Sequence, residues 1–563
     1  MKVYQRTQAQ FAHSIRTAKN GFLRLFGAAR AIVDPEKRKL CSLRRDAELA
    51  LNALAQNSGS TPIVEESALV LVDGMWDNPN YWLRYSLFRS AAGLDRCREV
   101  VLIGRWRRAQ VMATARNLEI RQSVDLQNMM KNVGPCVGEA REILAGLSDP
   151  GDLMNIRLPG ECPGSLVYDQ LLRDQRRGTV DLSDPDLDRK LGECLRSIRA
   201  AELIFQENDY KLVVLSQMIG PEFGAIAWFA LRSGAKVFVL AGQHGIQRFT
   251  LLKTTSDFQN GVNRPTRLEL DCIASPQKER LIHAGASYLE RRLSGHARDM
   301  GAKYAYTMRT DQVTREAIVE KFNWDPAKPI VAIYASNWCD YPHTVKMQRF
   351  RDFLDWATQT VQTLAQANEV NWLLKPHPCD SWFEKLNGPK LVDLVDEVNV
   401  PHVRMVDEHW NGRDLFESID GLVTYLGTAG IEFSGLGKPV MVAEEGWYGD
   451  CGFCYLPDSK DAYLEALRNG NWLKTTEGCS VSRRACLFIG WYFCTPSWQK
   501  SFILPNDSDQ DKIYRTQETF ISENFSSIEN EINHIRLWIN SSHRFYHTFK
   551  ISINKYFKIG DAQ

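Results

Sequence analysis

The segment "GLVTYLGTAGIEFSGLGKPVMVA", residues 421–443, carries an apolar run that stops at Gly427-Thr428-Ala429-Gly430, resumes at helical spacing and closes on a second strand-like run. Parallel strands buried on both faces read as continuous apolar runs, so the pattern is that of strand, turn, helix and strand in a doubly wound sheet. Upstream, "NWLLKPHPCD", 371–380, ends another apolar run abruptly in Lys375, Pro376, His377 and Pro378. Ligands of open α/β sheets gather beyond the carboxyl ends of the strands. Both stops are therefore expected to face one site.

The turn at 427–430 has the parts of an anion site. Glycines allow close backbone approach, the Thr428 hydroxyl can donate, and a helix starting near Ala429 presents unpaired N–H groups and the positive end of its dipole. Glu432, in the first helical turn, could accept from ribose hydroxyls or serve as a capping-box partner. His377 could donate a ring N–H to a phosphate or, if protonated, neutralise part of its charge as a leaving group departs. Pro378 suits the first position of a following helix.

The same α/β rhythm extends in both directions. "ALVLVDG" (68–74) and "REVVLIG" (98–104) flank a helix-like segment, and "KLVVLSQ" (211–217) and "AKVFVLAGQHG" (235–245) flank another. After the linker-like "WDPAKP" comes the strand "IVAIYAS" (330–336), then "MQRFRDFLDWATQTVQTLAQA" (347–367), whose Met347, Phe350, Phe353, Leu354, Ala357, Val361 and Leu364 predict an amphipathic helix. Two α/β blocks imply two doubly wound sheets. The predicted organisation is a helical extension at 1–60, a first Rossmann-like domain at 61–310, a second at 325–475, return helices at 476–505 and an appendage at 506–563.

At 563 residues the chain exceeds one ordinary core, and 69 Lys+Arg against 68 Asp+Glu leave no basic excess for tracking nucleic acid. Basic and apolar residues alternate around Phe22, Leu23, Leu25 and Phe26, so the extension could lie on anionic lipid or pack on its own protein. The aromatic, basic "RLWINSSHRFYHTFKISINKYFK" (536–558) reads as a peripheral segment open to lipid or polymer contact. No apolar run is long enough to span a bilayer, and no secretory signal is evident.

Thirteen cysteines without framework spacing point to a reducing compartment. Cys451 and Cys454 form a lone C-x-x-C without the further paired ligands that zinc needs. "SDPDLD" (183–188) holds the D-x-D of metal-dependent sugar transferases, but Pro185 and the helical run behind it favour a helix start. There is neither a Walker A loop nor a G-x-G-x-x-G after a strand.

The runs "NWLLKPHP", "LVTYLGTAGIEFSGLGKPVMVA" and "WYGDCGFCYLPDSKDAYLEAL" (447–467) resemble the C-terminal domain of bacterial capsule and surface-polysaccharide biosynthesis proteins, a group that includes the capsular Kdo transferases and is related to the CDP-glycerol glycerophosphotransferases. The resemblance covers roughly 325–470. Further upstream, "GQHGIQRFTLLKTTSDFQNGVN" (242–263) is similar to a family segment in which an acidic residue often stands where this chain has Gln243 and His244.

The resemblance implies a GT-B fold, with the nucleotide in the second domain and the acceptor mainly in the first. It implies metal-independent transfer of a sugar such as Kdo from a CMP-linked donor, without a resident cofactor, to a glycan or lipid-linked acceptor. It places the work in the cytoplasm, with peripheral contact at the inner face of the bacterial inner membrane. By carry-over, His377 and Thr428 would hold the donor phosphate, with Lys375 adding charge, and Glu432 would hold the ribose. The attacking hydroxyl needs a base, and Asp73 and His244, each after a strand, are the expected candidates. Trp76, Trp82, Trp106 and Trp228 could stack on sugar or fill the core. CDP-polyol phosphotransfer, nucleotide-sugar 2-epimerisation and a catalytically silent assembly or export role remain the alternatives.

Overall fold

The computed structural model describes residues 62–494 except 244–245, 260–263, 297–299, 346, 378–385 and 476, together with parts of a helix within 42–53 and residues 523 and 525–554. The amphipathic stretch around Phe22 to Phe26, the Gly-Val-Asn at 261–263, Pro378 and His244 lie outside the described residues.

Two sheets carry the architecture. The first runs β3-β2-β1-β4-β5-β6, with β1 Leu69–Gly74, β2 Arg98–Ile103, β3 Gln122–Asp125, β4 Tyr210–Leu215, β5 Lys236–Gln243 and β6 Ile246–Leu252. Only β6, on β5, is antiparallel within it. The second is wholly parallel and runs β9-β8-β7-β10-β11, with β7 Ile330–Tyr334, β8 Asn371–Lys375, β9 Val403–Met405, β10 Gly421–Thr424 and β11 Val440–Val442. Numbered from its own first strand, the first sheet has the order 3-2-1-4-5-6 and the second 3-2-1-4-5. Each chain path reverses between its first and fourth strands, and that switch point opens a crevice. The expected pair of Rossmann-like, GT-B-like bodies is what the chain forms.

Eleven helices matter to the argument. In the first body, α1 is Pro79–Ala92, α2 Ser165–Gln175, α3 Leu187–Glu207 and α4 Ala225–Arg232; α5 is Ser275–Leu293 and α6 Met300–Tyr306. The second sheet brings α7 Phe353–Leu364, α8 Thr428–Gly435 and α9 Cys479–Ile489, and the chain ends its described course in α10 Phe525–Ile539 and α11 Tyr546–Asn554. The start of α1 shows why such helices form where they do. Asn78 caps it by accepting from the N–H groups of Asn80 and Tyr81 at 3.0 and 3.2 Å, Pro79 costs no hydrogen bond at the first position, and Gly93 in the left-handed region ends it.

Three features differ from the sequence reading. First, the helix expected from 347 begins at Phe353. Asp352 caps it by accepting from Asp355 N at 2.8 Å, while Met347 and Phe350 are buried from an irregular loop. Their spacing served the core without being helical. Second, Leu270, Leu281, Leu289, Leu293 and Tyr306 pack with the second sheet, so the chain enters the second body well before residue 310. Helices α5 and α9 meet backbone to backbone, and a side chain at Gly285 or Gly490 would collide with the carbonyl of Cys486 or Leu281.

Third, α10 and α11 return to the first body. Trp538, Tyr546 and Phe549 are buried against Phe238 and Phe249, and Leu251 N donates to Arg544 O at 2.9 Å. These aromatics fill a core, which removes the lipid- or polymer-contact reading for them. "SDPDLD" does lead into a helix, α3, and Asp184 is engaged by Lys190 and Gln175.

Helix α2 ties the two bodies together. Tyr168 donates to Asp352 at 2.6 Å, Tyr341 donates to Gln170 at 3.0 Å, and the His343 ring bonds Asp169 at 2.6 Å. A continuous apolar cluster runs from the first sheet through Trp338 and Phe350 to the second.

Candidate functional site

The carboxyl ends of β7, β8 and β10 meet at the switch point of the second sheet, and a cavity of about 380 Å³ opens there. Its lining includes Lys375, His377, Gly427, Thr428, Ala429 and Glu432, so the two stops read from the sequence do converge. Gly430 lies beneath the surface, packed against Tyr448.

The turn is held open by side chains rather than capped by one. Thr424 donates to Tyr334 O at 3.0 Å and accepts from Gly427 N at 3.2 Å. The Tyr448 hydroxyl donates to Gly427 O at 2.7 Å, and Trp447 donates to Leu426 O at 3.0 Å. Gly427 is the N-cap of α8 in extended backbone, with no side-chain cap bond. The N–H groups of the first turn of α8 thus lack the capping oxygen that Ser, Thr, Asp or Asn would give, which suits them to an external anion.

Glu432 has a different place from the one expected. Its carboxylate is ion-paired with Arg292 of α5 and accepts from the Tyr306 hydroxyl of α6. It completes no capping box with Gly427; it fixes Arg292 and Tyr306, which line the cavity with it. Nothing in the sequence around Arg292 or Tyr306 signals this role.

His377 is half-buried. Burial and the neighbouring Lys375 charge pull its pKa down to about 4, so the ring is neutral near pH 7 and can donate one N–H but not a full charge. The cation is Lys375, whose Nζ lies 4.6 Å from the centre of the Tyr334 ring. Burial and Arg309 pull it down to about 7, against a partial offset from Glu432.

Asp73 is not an exposed base. It is buried, and its two oxygens accept from Met75 N at 2.8 Å and Ser216 N at 2.9 Å, clipping the end of β1 to the end of β4. Trp82 and Trp228 are core, the latter donating to Gly160 O at 2.9 Å. Cys451 and Cys454 are buried, and burial pushes the Cys454 thiol up to about 12. Among the described residues, no three His, Cys, Asp or Glu side chains come together in a metal-binding group.

A second, larger cavity of about 1360 Å³ lies at the switch point of the first sheet, beyond β1, β2 and β4. Trp76 and Trp106, 46% and 57% exposed, stand at it, and the Arg105 guanidinium lies 5.1 Å over the Trp106 ring. Asp77 on its wall is fixed by Arg44 from the helix within 42–53, at 2.7 Å. Asp174 and Glu222 also line it, both pushed up by burial. The cavities adjoin: Asp340 lines the smaller and Tyr341 the larger, and Arg173 of the larger reaches Asp340 at 3.4 Å. Sequence reasoning reached Trp76 and Trp106 but not Asp174 or Glu222, which carry no motif.

No family model matches the chain, and no curated protein matches it. Among solved structures it is similar to the UDP-GlcNAc 2-epimerase from Neisseria meningitidis bound to UDP-GlcNAc, at 10% identity and TM-score 0.23 over 81% of this chain and 99% of that one. It is similar to Thermosulfurimonas dismutans KpsC, a beta Kdo 2,4 transferase, at 13% identity and TM-score 0.29 over 49% of this chain and 79% of that one. It is also similar to the wall teichoic acid polymerase TagF soaked with CDPG, at 11% identity and TM-score 0.22 over 90% and 98%. Similarities of this size do not identify an activity, and the fold stands on the strand order of the two sheets. Among the described residues no helix is long and apolar enough to cross a membrane.

Proposed function

We propose that this chain is a glycosyltransferase of surface-polysaccharide biosynthesis, in capsule or lipopolysaccharide, that moves a sugar such as Kdo from a CMP-activated donor to a glycan or lipid-linked acceptor. The observation that carries the reading is the convergence of Lys375, His377 and the uncapped turn at Gly427–Ala429 on one cavity, beside a second and larger cavity. In this reading the donor phosphate sits at the start of α8 and the acceptor lies in the larger cavity, stacked on Trp76 or Trp106. The acceptor would be presented at the inner face of the membrane.

The acceptor hydroxyl attacks the anomeric carbon while the bond from that carbon to the phosphate oxygen breaks. The leaving phosphate gains negative charge, which the helix N–H groups and the neutral His377 ring stabilise without a metal ion. Asp174 and Glu222 line the larger cavity, and burial raises the pKa of each and so makes its ionised form a stronger base; we take them as the carboxylates that accept the hydroxyl proton, since both oxygens of Asp73 are engaged by backbone N–H groups.

Transfer of a polyol phosphate from a CDP donor would use the same phosphate turn. The separate larger cavity favours either two-substrate transfer over a one-substrate epimerase. The test is a thermal-shift screen against CMP, CDP, UDP, GDP and ADP, since a ligand that binds only the folded state raises its melting point. Selective stabilisation by a cytidine nucleotide, reduced in Thr428→Ala, is the expected result. Selectivity for UDP would move the reading to a UDP-sugar enzyme, and no response to any nucleotide would overturn it.

A further inference from the structure

Arg292 and Lys375 line the smaller cavity together with Glu432 and Asp340, and Glu432 is ion-paired with Arg292. Lys375 is 6% exposed and lines the cavity, and its Nζ forms no hydrogen bond or ion pair among the described residues. Behind it Arg309, 8% exposed, donates to the Tyr304 hydroxyl at 3.2 Å but leaves Nε and Nη1 without a partner. The Tyr334 hydroxyl, buried between them, also lacks one. The carboxylate closest to this group, Glu432, is already engaged by Arg292 and Tyr306.

Among the described residues, the Lys375 ammonium and the Arg309 guanidinium therefore have no carboxylate partner of their own. A buried charge without a partner is costly, and a site that retains one does so most readily where a ligand supplies the opposite charge. The phosphate turn cannot be that whole ligand site. It follows β10, whereas Lys375 ends β8, with β7 between them, so their backbones stand about 9 to 10 Å apart at the usual spacing of neighbouring strands.

We propose that Lys375, backed by Arg309, is a second anion subsite of this cavity, and that the ligand carries a second anionic group, a β-phosphate or a sugar carboxylate, besides the phosphate at Gly427–Ala429. The proposal rests on the nucleotide reading above and narrows it: a bare nucleoside monophosphate fills only one of the two subsites. The titratable groups facing the Lys375 ammonium are Arg309, Glu432 and His377, with the Tyr334 hydroxyl. With burial and Arg309 drawing Lys375 to about 7, an anion that settles beside it should bind together with a proton above neutral pH.

Isothermal titration of the full chain with CMP, CDP and CMP-N-acetylneuraminate, at about pH 8 in two buffers of different ionisation enthalpy, tests this directly. CDP, the carboxylate-bearing nucleotide or both should bind about tenfold or more tighter than CMP, with proton uptake. Lys375→Met should abolish both the gain and the uptake while leaving CMP affinity within about twofold, and the ligand-free variant should melt higher than the wild type. A gain for CDP alone assigns the subsite to a β-phosphate, and a gain for CMP-N-acetylneuraminate alone assigns it to a carboxylate. Equal binding of all three by the wild type, or an equal loss of all three in Lys375→Met, overturns the subsite while leaving the nucleotide reading in place. If no nucleotide binds at all, that reading falls and the subsite with it.

Discussion

Glu432 and Arg292 are ion-paired at the wall of the smaller cavity although 140 positions separate them in the chain. Removing one partner of a buried pair strands the other, so Glu432→Ala should cost about 3 to 5 kcal/mol of stability in urea unfolding. Arg292→Met in the same chain should recover much of the loss. A stable Glu432→Ala that loses only nucleotide affinity would instead restore the ribose-binding role inferred from the family resemblance.

Asp73 and Glu222 separate a clip from a base. Asp73→Asn turns an amide N–H₂ toward one of two backbone N–H donors, so it should destabilise by about 1 to 3 kcal/mol with turnover per folded molecule unchanged. Glu222→Gln should do the reverse, lowering turnover by about a hundredfold with little change in melting. The decisive comparison is turnover normalised to the folded fraction.

Much of this frame is legible in the residues because buried parallel strands leave unbroken apolar runs, and because a glycine-rich stop after such a run places its residues at a sheet's carboxyl edge. Lys375, His377 and the 427–430 turn could be paired on that ground alone. Arg292 and Tyr306 could not: they reach the site from α5 and α6 through tertiary packing that no local pattern records. Periodicity misled at Met347 and Phe350, where burial from a loop happens to fall at helical spacing. The aromatic C-terminal stretch looked peripheral for a related reason, since its partners Phe238 and Phe249 lie on strands nearly 300 residues earlier in the chain.

The His343–Asp169 bond joins the two bodies, and its pH dependence has a definite sign. Burial alone would lower His343, but the bond to Asp169 and its charge outweigh this and raise it above its ordinary value of 6.5. A group whose folded pKa is raised contributes fully below its unfolded pKa and loses that contribution as pH rises through the folded one. His343→Gln should therefore cost about 1.5 to 3 kcal/mol near pH 6 and markedly less near pH 9. A penalty independent of pH in thermal melts would show that the ring acts through packing on Tyr168.

His377 should behave as a neutral donor. With its pKa drawn to about 4 by burial and by Lys375, the ring does not change charge across the physiological range. His377→Ala should lower turnover about tenfold or more with the fold intact, in keeping with the loss of a donor aimed at developing charge. The pH–rate profile of the wild type should show no break between about 6 and 7 from this ring. A break there that disappears in His377→Gln would make it an acid or a cation in the reaction.

Gly430 gives the sharpest test of the phosphate turn because it touches no ligand. A Cβ at this position would run into the Tyr448 hydroxyl and press on Thr424, the two side chains that hold Gly427 in place. Gly430→Ala must therefore push Tyr448 off the Gly427 carbonyl and tilt the N–H groups of α8, whereas Thr428→Ala removes one hydroxyl and leaves the backbone where it is. If those N–H groups hold the phosphate, Gly430→Ala should weaken nucleotide binding more than Thr428→Ala does, by about tenfold or more against a few-fold. Tyr448→Phe, which deletes the hydroxyl and so relieves the collision, should restore part of the binding in the double variant. A Gly430→Ala protein that melts normally and binds nucleotide at wild-type affinity would place the phosphate elsewhere in the cavity.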